Sequence, residues 1–194
     1  MLIGTFGYYL IIINVVGFAA FIINMLLHNY TGKGQIDVIL TIVSLLGGSA
    51  GIVAAILIFD RKAEKDNMMS RIFVACILVI QIVILLIIKG HLAENITLAF
   101  WEFLDSHRIL LMYLVVINLV TFAAFAVDKI AAVKQKPRIR IVTLLSLSFA
   151  GGSIGALIAM YLLRHKIRKD YFTLGVPLTL VMQMVVIFFL MNIK

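Results

Sequence analysis

Four cations and a histidine fall within six residues, Arg164-His165-Lys166-Ile167-Arg168-Lys169. Guanidinium and ammonium groups crowded in this way can hold a phosphate or another anion. Arg164 suits bidentate contact, and His165 is of a type that titrates near neutrality. The same run also reads as a collar of cations resting on anionic lipid, at about 1 kcal/mol per charge. A second group is polar and sits within or at the ends of apolar runs: Asn14, Asn118, Ser49, Ser153 and Asp128. A midspan amide seeks a partner on an adjacent helix, for about 0.6–2 kcal/mol. Glue between helices is therefore favoured over a polar lining for a solute path. Gly47-x-Ser49-x-Gly51 and Gly151-x-Ser153-x-Gly155 fit the letters of a nucleophile elbow. His28, His91, His107 and His165 all lie in loops or at the ends of runs, so neither serine has a base at its depth. Ser153 is expected to bond its own helix four residues back. No catalytic residue, metal set or cofactor is read from these motifs, and Cys76 stands alone, which excludes a disulfide.

The elements that must position these residues are apolar. The 194 residues are 63% hydrophobic and only 13% charged, with a mean hydropathy of +1.14. A soluble domain is about half apolar and a quarter charged. Six apolar runs, 2–27, 38–59, 72–88, 109–127, 141–163 and 172–193, are each long enough for a hydrocarbon core of about 30 Å. Runs such as Leu10-Ile11-Ile12-Ile13 do not alternate as barrel strands do. The reading is an all-α integral membrane protein, multi-pass, of the cytoplasmic (inner) membrane. The first run is too long for a signal core and lacks a basic flank, so it reads as a retained span. The net charge of +8 points to anionic membrane lipids as partners and not to nucleic acid. A homo-oligomer stays open.

The chain also repeats itself. Gly47-Gly48-Ser49 and Gly151-Gly152-Ser153 are offset by 151 − 47 = 104 residues, and that offset carries Asn14 onto Asn118 and Phe18-Ala19-Ala20-Phe21 onto Phe122-Ala123-Ala124-Phe125. It also carries Lys62, Lys65 and Asp66 onto Lys166, Lys169 and Asp170 without a gap. A fixed period implies a duplicated unit: a three-helix repeat over 1–88, an amphipathic interfacial helix over 89–108 with Trp101 at headgroup level, and a second repeat over 109–194. Three spans per repeat predict inverted copies. Gly47, Gly48 and Gly51, with Gly151, Gly152 and Gly155, are small-residue positions that let two backbones approach. Close packing of those two runs is favoured over a broken helix that binds an ion. Six full spans place ten cations inside and seven outside, whereas re-entrant hairpins at the two Gly-Gly-Ser runs place fourteen inside and three outside. Run lengths of 22 and 23 residues, and the loss of four of five cations from the first loop, favour six spans. Asp128 and His165 then fall on opposite faces.

The second repeat resembles the bacterial membrane family catalogued as domain of unknown function 1294. The shared pattern is Tyr113, Asn118, Asp128-Lys129, Arg138-Ile139, Gly151-Gly152-Ser153 with Gly155, Arg164-His165-Lys166 with Lys169, Phe172, and Gly175 with Pro177. Family members often continue Arg-Ile with Pro-Glu, where this chain has Arg140-Ile141. The first repeat is similar but degenerate, with Asn24-Met25 for Asp-Lys and Asp60-Arg61 for Arg-His. The resemblance implies an architecture and no reaction. Three functions remain in play: a small transport-like protein handling anions or phospholipid headgroups, a structural or regulatory membrane subunit, and, least supported, a lipid-modifying enzyme using His165 with Asp128 or Asp170.

Overall fold

The structure, a computed structural model, describes residues 4–31, 37–60 and 67–193, with the backbone alone for 28–31 and 37. Among these residues the regular structure is helical, apart from one isolated bridge between Leu92 and Ile193. Six helical segments, Thr5–Leu27, Val38–Phe59, Met68–Ile88, Arg108–Val133, Ile141–Leu162 and Asp170–Met191, are long and apolar enough to cross a membrane. Their outward side chains are apolar too: Ile12, Leu119 and Met184 are each more than 60% exposed. Such a surface is suited to lipid and costly in water. The all-α, multi-pass reading stands.

The chain divides into two compact units, Met1–Gln81 and Ile82–Lys194. Unit 1 contains α1 (Thr5–Thr31), α2 (Asp37–Val43), α3 (Ser49–Phe59) and most of α4 (Met68–Ile88). Unit 2 contains α5 (Phe100–Ser106), α6 (Arg108–Val133), α7 (Ile141–Leu147), α8 (Ser153–Leu162), α9 (Asp170–Thr173) and α10 (Gly175–Met191).

In unit 2 the segment 141–162 does not run straight. Ile139, just before it, and His165, just after it, both hydrogen-bond the Asp128 carboxylate, at 3.0 and 2.7 Å. A continuous helix would hold residues 139 and 165 about 39 Å apart. The chain therefore doubles back, and it does so at Gly151, where φ is 126° and ψ −7°. Only glycine takes such a conformation without strain. From Asn118 to Asp128 along α6 is ten residues, and from Gly155 to His165 along α8 is ten more, so the two helices run side by side for about 15 Å. The hairpin arm through α7 is of similar length, about half a hydrocarbon core. Its tip lies beside Tyr113 and Asn118, and both of its ends lie beside Asp128. Helices α9 and α10 return antiparallel to α6, from Phe172 of α9 against Phe125 to Gln183 of α10 at the tip. Pro177 sits in the first turn of α10, where a missing N–H costs nothing.

In unit 1 the backbone turns in the same way. Gly47 has φ 114° and ψ −1°, and the flanking Gly48 (−83°, 8°) matches Gly152 (−88°, 18°). Leu40 before the turn and Ala55 after it are buried in one cluster with Phe21, Ile52 and Val74. The expectation that Asp128 and His165 sit on opposite faces is corrected: a segment long enough to cross is used as two half-length arms.

The helix expected over 89–108 is realised over seven residues, as α5. Gly90 (φ 82°) ends α4, and the following non-helical strip, which bends at Glu94 and Asn95, is held by Asn192. Its Oδ1 accepts from Thr97 N at 2.7 Å, its Nδ2 donates to Thr97 O at 3.1 Å, and its carbonyl accepts from Ala93 N at 2.8 Å. Trp101 is 78% exposed.

Candidate functional site

Breaking a helix inside apolar surroundings frees carbonyls and amides that must find partners. At the unit 2 tip the Tyr113 hydroxyl donates to Ala150 O at 2.5 Å. Asn118 Nδ2 donates to Gly151 O at 3.0 Å while its Oδ1 accepts from Gly155 N at 2.7 Å. Gln183 Nε2 donates to Ser148 O at 2.7 Å, and its Oε1 accepts from the Ser153 hydroxyl. Ser153 thus bonds α10 and not its own helix. At the unit 1 tip Tyr9 donates to Leu46 O (2.6 Å), and Asn14 donates to Gly47 O (3.0 Å) and accepts from Gly51 N (2.7 Å). Gln81 donates to Ser44 O (2.5 Å) and accepts from Ser49.

Every one of these partners recurs 104 residues on except the glutamine, for which 183 − 81 = 102. The third helices are therefore two residues out of step with the gap-free alignment. Gly47 and Gly151 make the turns, and Gly48, Gly51, Gly152 and Gly155 lie where a Cβ would strike α1 in unit 1 or α6 in unit 2. The close approach read from these glycines is thus made to the first helix of each glycine's own unit.

The base of the unit 2 hairpin carries the charge. Asp128, at 0% exposure, receives Ile139 N on Oδ1 at 3.0 Å. Its Oδ2 receives His165 Nε2 at 2.7 Å and Lys166 Nζ at 2.8 Å, with an Arg138 guanidinium nitrogen at 3.8 Å. Phe125 and Phe172, both fully buried and edge-to-face at 5.5 Å, form the floor, and Lys166 Nζ sits 4.6 Å from the Phe172 ring centre. Burial holds the Lys166 ammonium below the usual lysine value, with Asp128 opposing that shift and Arg138 adding to it.

The loop that delivers these groups is strained. Helix α8 ends with His165 N bonded back to Met160 O and Arg164 at φ 45°. That is the helix-ending position where glycine is preferred, as Gly90 serves α4. Lys166, at φ 63°, is left-handed as well. The cationic run consequently splits. His165 and Lys166 turn inwards onto Asp128, while Arg164, Arg168 and Lys169 are exposed.

The structure therefore joins Asp128, assigned from sequence to a polar seam, to the cationic run. It places Asn118 and Ser153 at the unit 2 tip, and Asn14 and Ser49 at the unit 1 tip. Lys62, Lys65 and Asp66 lie outside the described residues. Tyr9 was not anticipated at all, although it and Tyr113 share the 104-residue offset. Tyr113 and Arg138 were visible only within the family pattern. Among the described residues no group of His, Cys, Asp and Glu is placed to hold a metal ion.

These features define a helical membrane protein built around a half-depth hairpin, its two ends clipped to one buried carboxylate. The model of the family described as protein of unknown function (DUF1294) matches residues 118–172, which run from the tip asparagine to the base phenylalanine. The uncharacterized protein YsdA of Bacillus subtilis (strain 168) is 37% identical over 79 residues, 41% of this chain and 89% of that protein. The chain belongs to the DUF1294 family. No solved structure matches it.

Proposed function

We propose that the chain is a small transport-like protein that handles anionic phospholipid headgroups at the base of unit 2. The observation that carries this reading is a charge asymmetry within the unit. Lys134, Lys136, Arg138, Arg140, Arg164, Arg168 and Lys169 are exposed at the base, accompanied by one exposed acid, Asp170. Among the described residues the far end has Lys89 and Arg108 against Glu94, Glu102 and Asp105. Cations flanking a span mark its cytoplasmic side, so the base faces the cytoplasmic leaflet of the inner membrane, where each cation near an anionic surface contributes about 1 kcal/mol. We also read the two units as copies of one ancestor, because the tip contacts recur and because the Bacillus relative is little longer than its matched stretch.

Arg164 separates folding from binding. It occupies a backbone position that glycine takes freely, so Arg164→Gly is expected to leave stability in phosphatidylcholine nanodiscs unchanged or raised by about 0.5–1 kcal/mol. In phosphatidylglycerol-rich discs wild type is expected to melt higher than in phosphatidylcholine, and the variant to lose part of that gain. A wild-type midpoint indifferent to phosphatidylglycerol overturns the reading.

A further inference from the structure

A collar of cations on lipid does not require the inward turn of His165. Left-handed backbone at Arg164 and Lys166, neither of them glycine, is strained and persists only where the surroundings impose it. The product of that strain is an oriented imidazole. An ionised carboxylate only accepts, so the Asp128 contact assigns the proton to His165 Nε2. Nδ1 is then the open ring nitrogen. It has no hydrogen-bond partner among the described residues and is not among the polar atoms buried without one. On the same Asp128 oxygen, Lys166 at 2.8 Å supplies the neutralising charge. Arg138, at 3.8 Å with its side chain 56% exposed, keeps most of its five donors free.

We propose that His165 Nδ1 and Arg138 form a site for a terminal phosphate, a phosphomonoester, carried on a lipid or free in solution. The proposal rests on the headgroup reading above and narrows it. The distinguishing chemistry is one proton. A phosphomonoester has a second pKa of about 6 and exists near neutrality with and without that proton. The imidazole and a phosphate oxygen can share it from either side, while a guanidinium takes two further oxygens in a fork. A phosphodiester carries a single charge and no such proton. In unit 1 the aligned positions are Asn24, Gly34 and Arg61 in place of Asp128, Arg138 and His165, which confines the site to unit 2.

The test is lipid retention by the full chain in native mass spectrometry, comparing phosphatidic acid, phosphatidylglycerol and phosphatidylcholine. A parallel melt in phosphatidylcholine discs adds inorganic phosphate. Phosphatidic acid is expected to be retained over phosphatidylglycerol on the order of tenfold, the weight of one charge-assisted hydrogen bond. His165→Gln and Arg138→Gln should each abolish that preference; Arg138 is half exposed, so its variant keeps the test valid if the histidine variant misfolds. A melt raised by inorganic phosphate identifies the phosphate group itself as sufficient, and a preference for phosphatidic acid without such a rise identifies the lipid as the source. Equal retention of phosphatidic acid and phosphatidylglycerol, both above phosphatidylcholine, overturns the monoester site and leaves the headgroup reading standing. No preference over phosphatidylcholine overturns both.

Discussion

The tips of the two units are held by the same residue types: Tyr9, Asn14 and Gln81 around Gly47, and Tyr113, Asn118 and Gln183 around Gly151. Away from the tips the described residues differ. In unit 1 Asp60, which follows α3, pairs with Arg71 of α4 at 2.8 Å and accepts from Asn67 at 3.1 Å. These contacts are partly buried, with side chains 17% and 24% exposed. In unit 2 the carboxylate comes instead from α6, is fully buried, and collects a histidine, a lysine, an arginine and a backbone amide. A feature kept in both units is what the hairpin needs in order to exist in lipid, since unpaired carbonyls at a helix break cost several kcal/mol each. A feature present in one unit is free to serve something else. The recurring tip thus reads as architecture, and the proposed headgroup site lies at the base of unit 2, where the sequences of the two units differ.

The most decisive way to break this comparison is topological. With single cysteines at Lys136 and Arg168 in a Cys76→Ala background, an impermeant thiol reagent should label both from one side of the membrane. Labelling from opposite sides would mean that segment 141–162 crosses, and the shared-tip argument would fail with it. Next in size is Asp128→Ala, which leaves His165 and Lys166 buried without their acceptor. Breaking a buried pair in this way costs about 3–5 kcal/mol. Asn24→Ala, at the aligned position in unit 1, removes a buried amide and is expected to cost about 1 kcal/mol. Equal losses in equilibrium unfolding would erase the asymmetry between the bases. The smallest difference between the units is expected at the tip itself. Asn118→Leu and Asn14→Leu each leave a turn carbonyl and a turn amide without their partner, and each should cost several kcal/mol. There the two losses should agree, and a difference of more than about 1 kcal/mol would separate tips that look alike.

Much of this was legible in the residues. Apolar runs of membrane length, the 104-residue offset and the two Gly-Gly-Ser runs are properties of order along the chain, and they appear in the structure as six apolar helical segments and two matching turns. The cationic run was legible as a group suited to anions, but its division was not. Whether His165 faces in or out depends on left-handed backbone at Arg164 and Lys166, and neither residue type signals it. The choice between a crossing and a hairpin also resisted reading, because 22 apolar residues satisfy one full crossing or two half-length arms equally well. Charge counting favoured the hairpin, and run length outweighed it. Inversion was expected from three crossings per repeat. In unit 2 two helices have full length and the third segment turns back, so that premise is gone.

The order of residues by itself determined the solvent, the helical class, the 104-residue recurrence of residue types and the positions where the backbone could turn, because each follows from local composition and spacing. Only the tertiary structure decided which groups meet. Asp128, Arg138 and His165 are separated by ten and twenty-seven residues, and they converge because a glycine at φ 126° folds one apolar segment back on itself. A buried carboxylate then becomes the common partner of both ends of the hairpin, a relation that no spacing rule along the chain encodes.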